Sequence, residues 1–191
     1  PKQNNKHTMD KPKIEELAKQ LIEAIGEDST REGLKDTPRR MAKSFEKLFE
    51  GYAMNPKNFL TEFDGEDYDE MIICKNIDLY STCEHHMLPF IGKAHIGYIP
   101  NKKIIGLSKL PRIVETFSRR LQNQERLTMQ IANTLKELLQ PKGVGIVIEA
   151  NHLCMRARGV EKQNASMTTS SFKGLFKENS KTRSEFLKLI G

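Results

Sequence analysis

The sequence predicts an α+β fold, an antiparallel sheet with helices on one face, preceded by a helical region. Three observations carry this. Residues 12–49 hold two apolar stripes at helical spacing and no strand signal. From residue 71 onward, strand-like runs follow one another across turn residues, the pattern of antiparallel neighbours. Two helical stripes fall between the strand groups, at residues 108–117 and 124–138.

Residues 1–11 are polar and are expected to form a flexible tail. A helix follows: Pro12 suits its first turn, Ile14, Leu17, Leu21, Ile22 and Ile25 recur at helical spacing, and Gly26 ends it. Thr37 reads as the N-cap of a second helix with Pro38 at its first position. Met41, Phe45, Leu48 and Phe49 form its stripe, and Gly51 closes it. Residues 52–70, with Pro56, Gly65 and an acidic cluster, read as irregular. The division expected is a tail at 1–11, a helical region at 12–68 and a main domain at 69–191. Strands are expected at residues 71–74, 77–80, 93–99, 144–150 and 166–172. Ser108 can cap the helix carrying Leu110, Ile113, Val114 and Phe117. The next carries Leu127, Ile131, Leu135 and Leu138, and a last helix spans residues 182–189. Such a sheet must hide its edges, which points to a homo-oligomer.

The chain has 191 residues, a formal net charge of +6 and three cysteines. The basic excess favours anionic partners or is solvated surface. So few cysteines argue against a disulfide scaffold and leave metal binding or catalysis as uses. No apolar run is long enough to cross a bilayer, and a cytoplasmic protein is expected.

Two segments carry metal chemistry. In Cys83-Glu84-His85-His86, Cys83 and His86 have the spacing of a zinc loop, and the side chains of adjacent His85 and His86 diverge, so one ligates and the other is free for acid–base work. In His152-Leu153-Cys154, a continuing strand would put His152 and Cys154 on one face, with Cys154 as third ligand. Three protein ligands leave a fourth position to water, the mark of a catalytic zinc site. Cys74 lies in an alternating strand and reads as a small buried residue.

Gly106-Leu107-Ser108-Lys109, with Arg112 one turn on, offers a helix N-terminus and two cations to a phosphate, though the segment alone reads first as a solvated helix start. Arg156 and Arg158 follow Cys154 closely. Glu125, in Gln124-Glu125-Arg126, can accept two hydrogen bonds from a guanine edge or can answer a helix dipole. The residues by themselves reach a zinc hydrolase with a basic pocket. A nucleic-acid-binding module with structural zinc is the non-enzymatic alternative, and it lacks a fourth ligand and an aromatic platform.

Five segments together resemble the type I GTP cyclohydrolase family: Ser81-Thr82-Cys83-Glu84-His85-His86, Ile105-Gly106-Leu107-Ser108-Lys109, Gln124-Glu125-Arg126-Leu127-Thr128, His152-Leu153-Cys154-Met155-Arg156-Ala157-Arg158-Gly159 and Thr169-Ser170-Ser171-Phe172-Lys173-Gly174-Leu175-Phe176. Thr37-Pro38-Arg39-Arg40-Met41-Ala42 extends the resemblance. It implies a tunnelling fold, with two helices between the strand pairs of a four-stranded sheet. It also implies a homodecamer with sites at subunit interfaces and conversion of GTP to dihydroneopterin triphosphate and formate. The zinc ligands it implies are Cys83, His86 and Cys154. Glu125 would anchor guanine, assisted by Gln124; Lys109, Arg112, Arg158 and Arg40 would face the triphosphate, Arg40 in a neighbouring subunit's site. Ser108 would lie near the ribose, and His85 and His152 would transfer protons. Nucleic acid and membrane are not among the implied partners. Other tunnelling-fold purine and pterin enzymes, a three-histidine synthase and a cysteine-dependent reductase, lack this ligand set.

Overall fold

The computed structural model describes residues 8–191; the expected tail at 1–11 lies outside the described residues up to residue 7. Asp10 starts the first helix, α1 (Lys11–Ala24), by accepting a hydrogen bond from the Lys13 amide at 3.0 Å, and Pro12 sits in its first turn. The second, α2 (Thr37–Leu48), begins one residue earlier than expected. Asp36 holds the cap position, Thr37 is already helical, and the Asp36 carboxylate faces Arg39 and Arg40 at 3.7 and 3.4 Å.

Gly51 does not close α2. It lies in a 3-10 turn, Glu50–Tyr52, that docks on the end of α3 (Lys109–Ser118). A Cβ there would sit 2.5 Å from the Thr116 carbonyl oxygen and 2.7 Å from that of Arg119, so only glycine allows this approach. The Gly51 amide donates to the Arg119 carbonyl, the Arg120 Nε to the Gly51 carbonyl, and the Leu121 amide to the Tyr52 hydroxyl oxygen, each at 3.1 Å. The helical region is thereby tied to the sheet domain.

The stretch read as irregular, 52–70, contains a second 3-10 turn, Pro56–Phe59, and a three-residue strand, β1 (Glu62–Asp64). The two strand pieces expected at 71–74 and 77–80 are one strand, β2 (Ile72–Cys83). It is antiparallel to β3 (Pro89–Ile99), with a bulge between Cys74 and Ile77 where Asn76 takes φ 61°. β4 (Lys103–Ile105) pairs with β1, and α3 follows. Then come β5 (Leu121–Gln122), α4 (Gln124–Leu139), β6 (Gly143–His152), the single turn α5 (Leu153–Arg156), β7 (Met167–Gly174), α6 (Leu175–Glu178) and α7 (Ser180–Ile190).

The main sheet has the order β5-β2-β3-β6-β7, antiparallel apart from the two-residue β5, so the α+β expectation holds. Leu110, Ile113 and Val114 of α3 and Leu127, Ile131 and Leu135 of α4, all fully buried, cover one face against Leu79, Phe90, Ile96 and Ile146. On the opposite face Phe176 and Phe186 pack over Gly97 and Gly145, which pair across β3 and β6; a Cβ on either glycine would meet a phenylalanine ring under 3 Å away. Among the described residues no helix is long and apolar enough to cross a membrane.

The bulge in β2 is closed by His95, whose Nδ1 accepts from the Asn76 amide at 3.4 Å. Burial holds the His95 imidazole below its ordinary pKa; Glu149 opposes this and Lys75 adds to it. A depressed folded pKa means that the unfolded chain takes up the proton first. His95 therefore contributes stability above the unfolded value of about 6.5, and that contribution is lost as pH falls through it towards the lower folded value. His95→Gln, which keeps an acceptor for Asn76, is expected to shrink the drop in unfolding midpoint between about pH 7.5 and about pH 5.5. An equal drop in both proteins would remove His95 as the cause.

Candidate metal centre and active site

Cys83 is the last residue of β2, held by β5, which pairs with Thr82 and Cys83. The chain then turns tightly: the Met87 amide donates to the Cys83 carbonyl and the Cys83 amide to the Leu88 carbonyl, both at 2.8 Å. Met87 takes φ 53° at this reversal. The turn swings His86 back, so that its Nδ1 lies 3.7 Å from Cys83 Sγ.

Cys154 reaches the same place by a route the sequence does not show. The strand stops at His152, and Leu153 opens the helical turn α5, so Cys154 is not strand-paired beside His152 as expected. Helical rotation carries Cys154 inward, and the ligand atoms of Cys83, His86 and Cys154 all lie within 4.8 Å of one another. Zinc bonds of about 2.3 Å to sulfur and about 2.0 Å to nitrogen at tetrahedral angles put sulfur and nitrogen roughly 3.6 Å apart. The observed 3.7 Å fits that edge. Burial, followed by the neighbouring Cys83 thiol, pushes the Cys154 thiol up. A bound cation reverses that preference, since a coordinating thiol is deprotonated. The donor set therefore fits a metal ion, and no fourth protein ligand joins it among the described residues.

His152 closes the end of β6. Its ring stacks on Phe90, with centroids 4.5 Å apart and planes 8° apart, and its Nε2 lies 2.8 Å from Gln124 Oε1. Burial lowers its pKa and the Glu125 carboxylate opposes that. Glu125 itself is exposed in the first turn of α4. Gln124, expected beside Glu125 at the guanine edge, is instead 1% exposed, with its amide bonded inside the protein. Next to Glu125 in sequence, it points about 100° round the helix, into the protein.

Glu84 and Arg126 join the ligand loop to α4. The Arg126 guanidinium donates from Nη2 to Glu84 Oε2 at 2.5 Å and from Nη1 to Oε1 at 3.1 Å, a two-pronged pair. Asn123 also donates to Glu84, while its own Oδ1 caps α4 by accepting from the Arg126 amide. The Arg126 bond, above all, holds the Glu84 carboxyl below the usual range. Sequence reasoning missed this clamp. Its only trace is two opposite charges next to functional residues and far apart in the chain.

The remaining expected residues fall into two groups. Arg158 joins the metal trio: its Nη1 lies 3.3 Å from His86 Nε2. His85 is in the loop, turned away with its ring 89° to that of His86 and its Nε2 3.8 Å from Glu84. Ser108, Lys109 and Arg112 are elsewhere. The C-terminal end of α3 leads into β5 beside Cys83. The ten residues of α3 carry its start about 15 Å away. Ser108 makes no capping bond, and Arg112 lies over the Phe59 ring at 5.9 Å. Arg40 is exposed on α2 with Asp36 as its partner. Among the described residues none of these four hydrogen-bonds to the trio.

A family model described as GTP cyclohydrolase I matches residues 14–191. The chain belongs to the GTP cyclohydrolase I family. It is similar to three curated proteins named GTP cyclohydrolase 1. That of Wolinella succinogenes is 55% identical over 175 residues, 91% of this chain and 94% of the relative. That of Methylococcus capsulatus is 57% identical over 179 residues, 93% and 97% of the two chains. That of Chlorobaculum tepidum is 58% identical over 172 residues, 90% of this chain and 77% of the relative. The sheet with α3 and α4 between its strand pairs is accordingly the tunnelling fold.

For a GTP cyclohydrolase I the Glu84–Arg126 clamp has a measurable consequence. It sets the loop that presents Cys83 and His86, and groups that orient ligands typically tune metal affinity by roughly 10–100-fold. Arg126→Met is expected to weaken metal binding at the trio by about tenfold, read with added zinc as the probe in competition with a chromophoric chelator. Unchanged affinity in the folded variant would show that the loop holds its shape without the clamp.

Proposed function

We propose that the chain carries out the GTP cyclohydrolase I reaction, the first step of folate and pterin biosynthesis, as a zinc-dependent enzyme. GTP is opened at its imidazole ring, C8 leaves as formate, and the remainder rearranges to 7,8-dihydroneopterin triphosphate. The observation that carries this reading is the metal-fitting trio of Cys83, His86 and Cys154 beside His152, with Glu125 at the start of α4.

Cys83, His86 and Cys154 would hold a zinc ion. Zinc, when bound, supplies Lewis acidity and lowers the pKa of a water ligand to about 7. The Glu125 carboxylate accepts from guanine N1–H and the 2-amino group, a two-donor edge that adenine lacks. His152 gives its proton to a ring nitrogen as the C8–N bond breaks, making that nitrogen a better leaving group. With Nδ1 of His86 turned to the metal, the neutral ring keeps its hydrogen on Nε2. Arg158 then has no acceptor there, and its guanidinium is left for a phosphate. His85, with Ser108 brought in at the start of a neighbouring subunit's α3, moves protons as the ribose opens before rearrangement and ring closure.

Lys109, Arg112 and Arg40 complete the triphosphate site in an assembly, with the decamer as its form. Two features support this. The start of α3 lies a helix length from the trio of its own chain. Among the described residues, β2 pairs on its outer edge only at Thr82 and Cys83, and β7 pairs only with β6. Open edges of that length call for partner strands. The division into tail, helical region (12–68) and catalytic domain (69–191) goes with this reading, the helical region serving assembly. A cytoplasmic enzyme that acts without membrane or nucleic acid completes it.

The test is incubation of the purified protein with GTP. Formate and, after oxidation, a fluorescent pterin should appear in equal amounts. A folded, zinc-loaded protein that yields neither would overturn the reading.

A further inference from the structure

We infer that Gln124 is a positioning residue for His152: it fixes the ring in the tautomer with its hydrogen on Nε2 and leaves Nδ1 as the nitrogen that exchanges protons with substrate. The word substrate rests on the proposed function; the tautomer rests on hydrogen-bond geometry alone.

A glutamine amide has one end that donates and one that accepts, and its partners decide which faces where. The Gln124 nitrogen lies 3.0 Å from the Ile148 carbonyl oxygen and 2.9 Å from that of Met167. Carbonyl oxygens only accept. The reverse placement would set the amide oxygen against both of them with no hydrogen between, in a side chain only 1% exposed. The neighbouring hydroxyls agree. Thr128 gives its hydrogen to the Gln124 backbone carbonyl at 2.7 Å, so in the 2.7 Å contact between Thr128 and Thr169 it is Thr169 that donates. Thr169 is then free to accept from the Gln124 nitrogen at 3.1 Å.

The backbone of β6 and β7 thus sets the amide, and the amide sets the histidine. Gln124 Oε1 can only accept, so the 2.8 Å bond to His152 requires a hydrogen on Nε2. Phe90, stacked on the ring, holds its plane. Whatever the charge on the ring, the Nε2 hydrogen stays in this bond. In a proton delivery the ring starts as imidazolium, its second proton taken from solvent at Nδ1; the Nδ1–H bond breaks, its electron pair stays on Nδ1, the substrate nitrogen takes the proton, and the neutral Nε2–H tautomer remains. Both ends of Gln124 are used inside the protein, which removes it from the guanine contact and gives it this role instead.

The test reads the tautomer directly, by solid-state nitrogen NMR of the whole zinc-loaded protein with ¹⁵N-labelled histidine. The spectrum is taken at about pH 8.5, where the ring is neutral, and the His152 signals are identified by their loss in His152→Asn. A hydrogen on Nε2 and a bare Nδ1 are expected; the opposite assignment overturns the inference. Gln124→Leu supplies a second reading. The expected result is a kcat lower by about 10- to 100-fold with KM for GTP within about twofold, and a mixture of tautomers. A raised KM with kcat retained would return Gln124 to the base and also overturn it. Because the tautomer is read without turnover, a protein that makes no formate yet shows the Nε2 hydrogen sinks the proposed function and leaves this inference standing.

Discussion

Cys154→Ala is expected to abolish formate release from GTP, a fall of roughly 10³-fold or more, together with loss of bound zinc. The expectation follows from the ligand count. With three protein donors within 4.8 Å and no fourth among the described residues, removal of one leaves a two-point site. Such a site does not hold zinc in a closed tetrahedral geometry. Cys83→Ala and His86→Ala should behave alike, and pairs of these changes should cost little more than one, because ligands of one ion act as a unit. Zinc content by elemental analysis and formate per GTP give the two readouts. Cys154 lies in the single turn α5, half-buried at the margin of the main core, and the change removes only its sulfur, so the variant should fold. Full activity in metal-free Cys154→Ala would remove the metal from the account.

Glu125→Ala is expected to cut kcat/KM for GTP by roughly 10²- to 10⁴-fold, the loss of two hydrogen bonds to a charged acceptor. Glu125→Gln should be almost as damaging. An amide offers one acceptor to an edge that presents two donors, and its NH₂ meets the other donor head on. Glu125 is exposed and its helix is capped independently by Asn123, so neither change should disturb folding. Steady-state rates with GTP over a wide concentration range separate the cases. A decrease smaller than about fivefold in Glu125→Ala would mean that some other group reads the base.

The sequence made some of this legible and hid the rest for physical reasons. The long periodic elements were plain: α4 repeats its apolar residues at helical spacing, and β6 is an unbroken strand-like run. The metal trio was legible because Cys83 and His86 are local in sequence and His152 and Cys154 fall at the end of a strong strand. The route of Cys154 was not, since a one-turn helix such as α5 leaves no periodic trace. β1 and β4 escaped for the same reason, each only three residues long. The bulge at Lys75 and Asn76 split one strand into two apparent pieces. Gln124 shows a deeper limit. Its neighbours Ile148, Met167 and Thr169 come from two other strands, and only the packed structure shows that its amide is spent inside. Glu84 and Arg126 likewise meet across 42 residues of chain.

The central claim is that one metal ion, held by Cys83, His86 and Cys154, enables the opening of GTP. The most direct test follows formate and pterin through a cycle in which one preparation is stripped with a chelator and reloaded with zinc. The account predicts equal formate and pterin before stripping, neither in the metal-free protein, and both again on addition of zinc. Undiminished formate and pterin from demonstrably metal-free protein would contradict it.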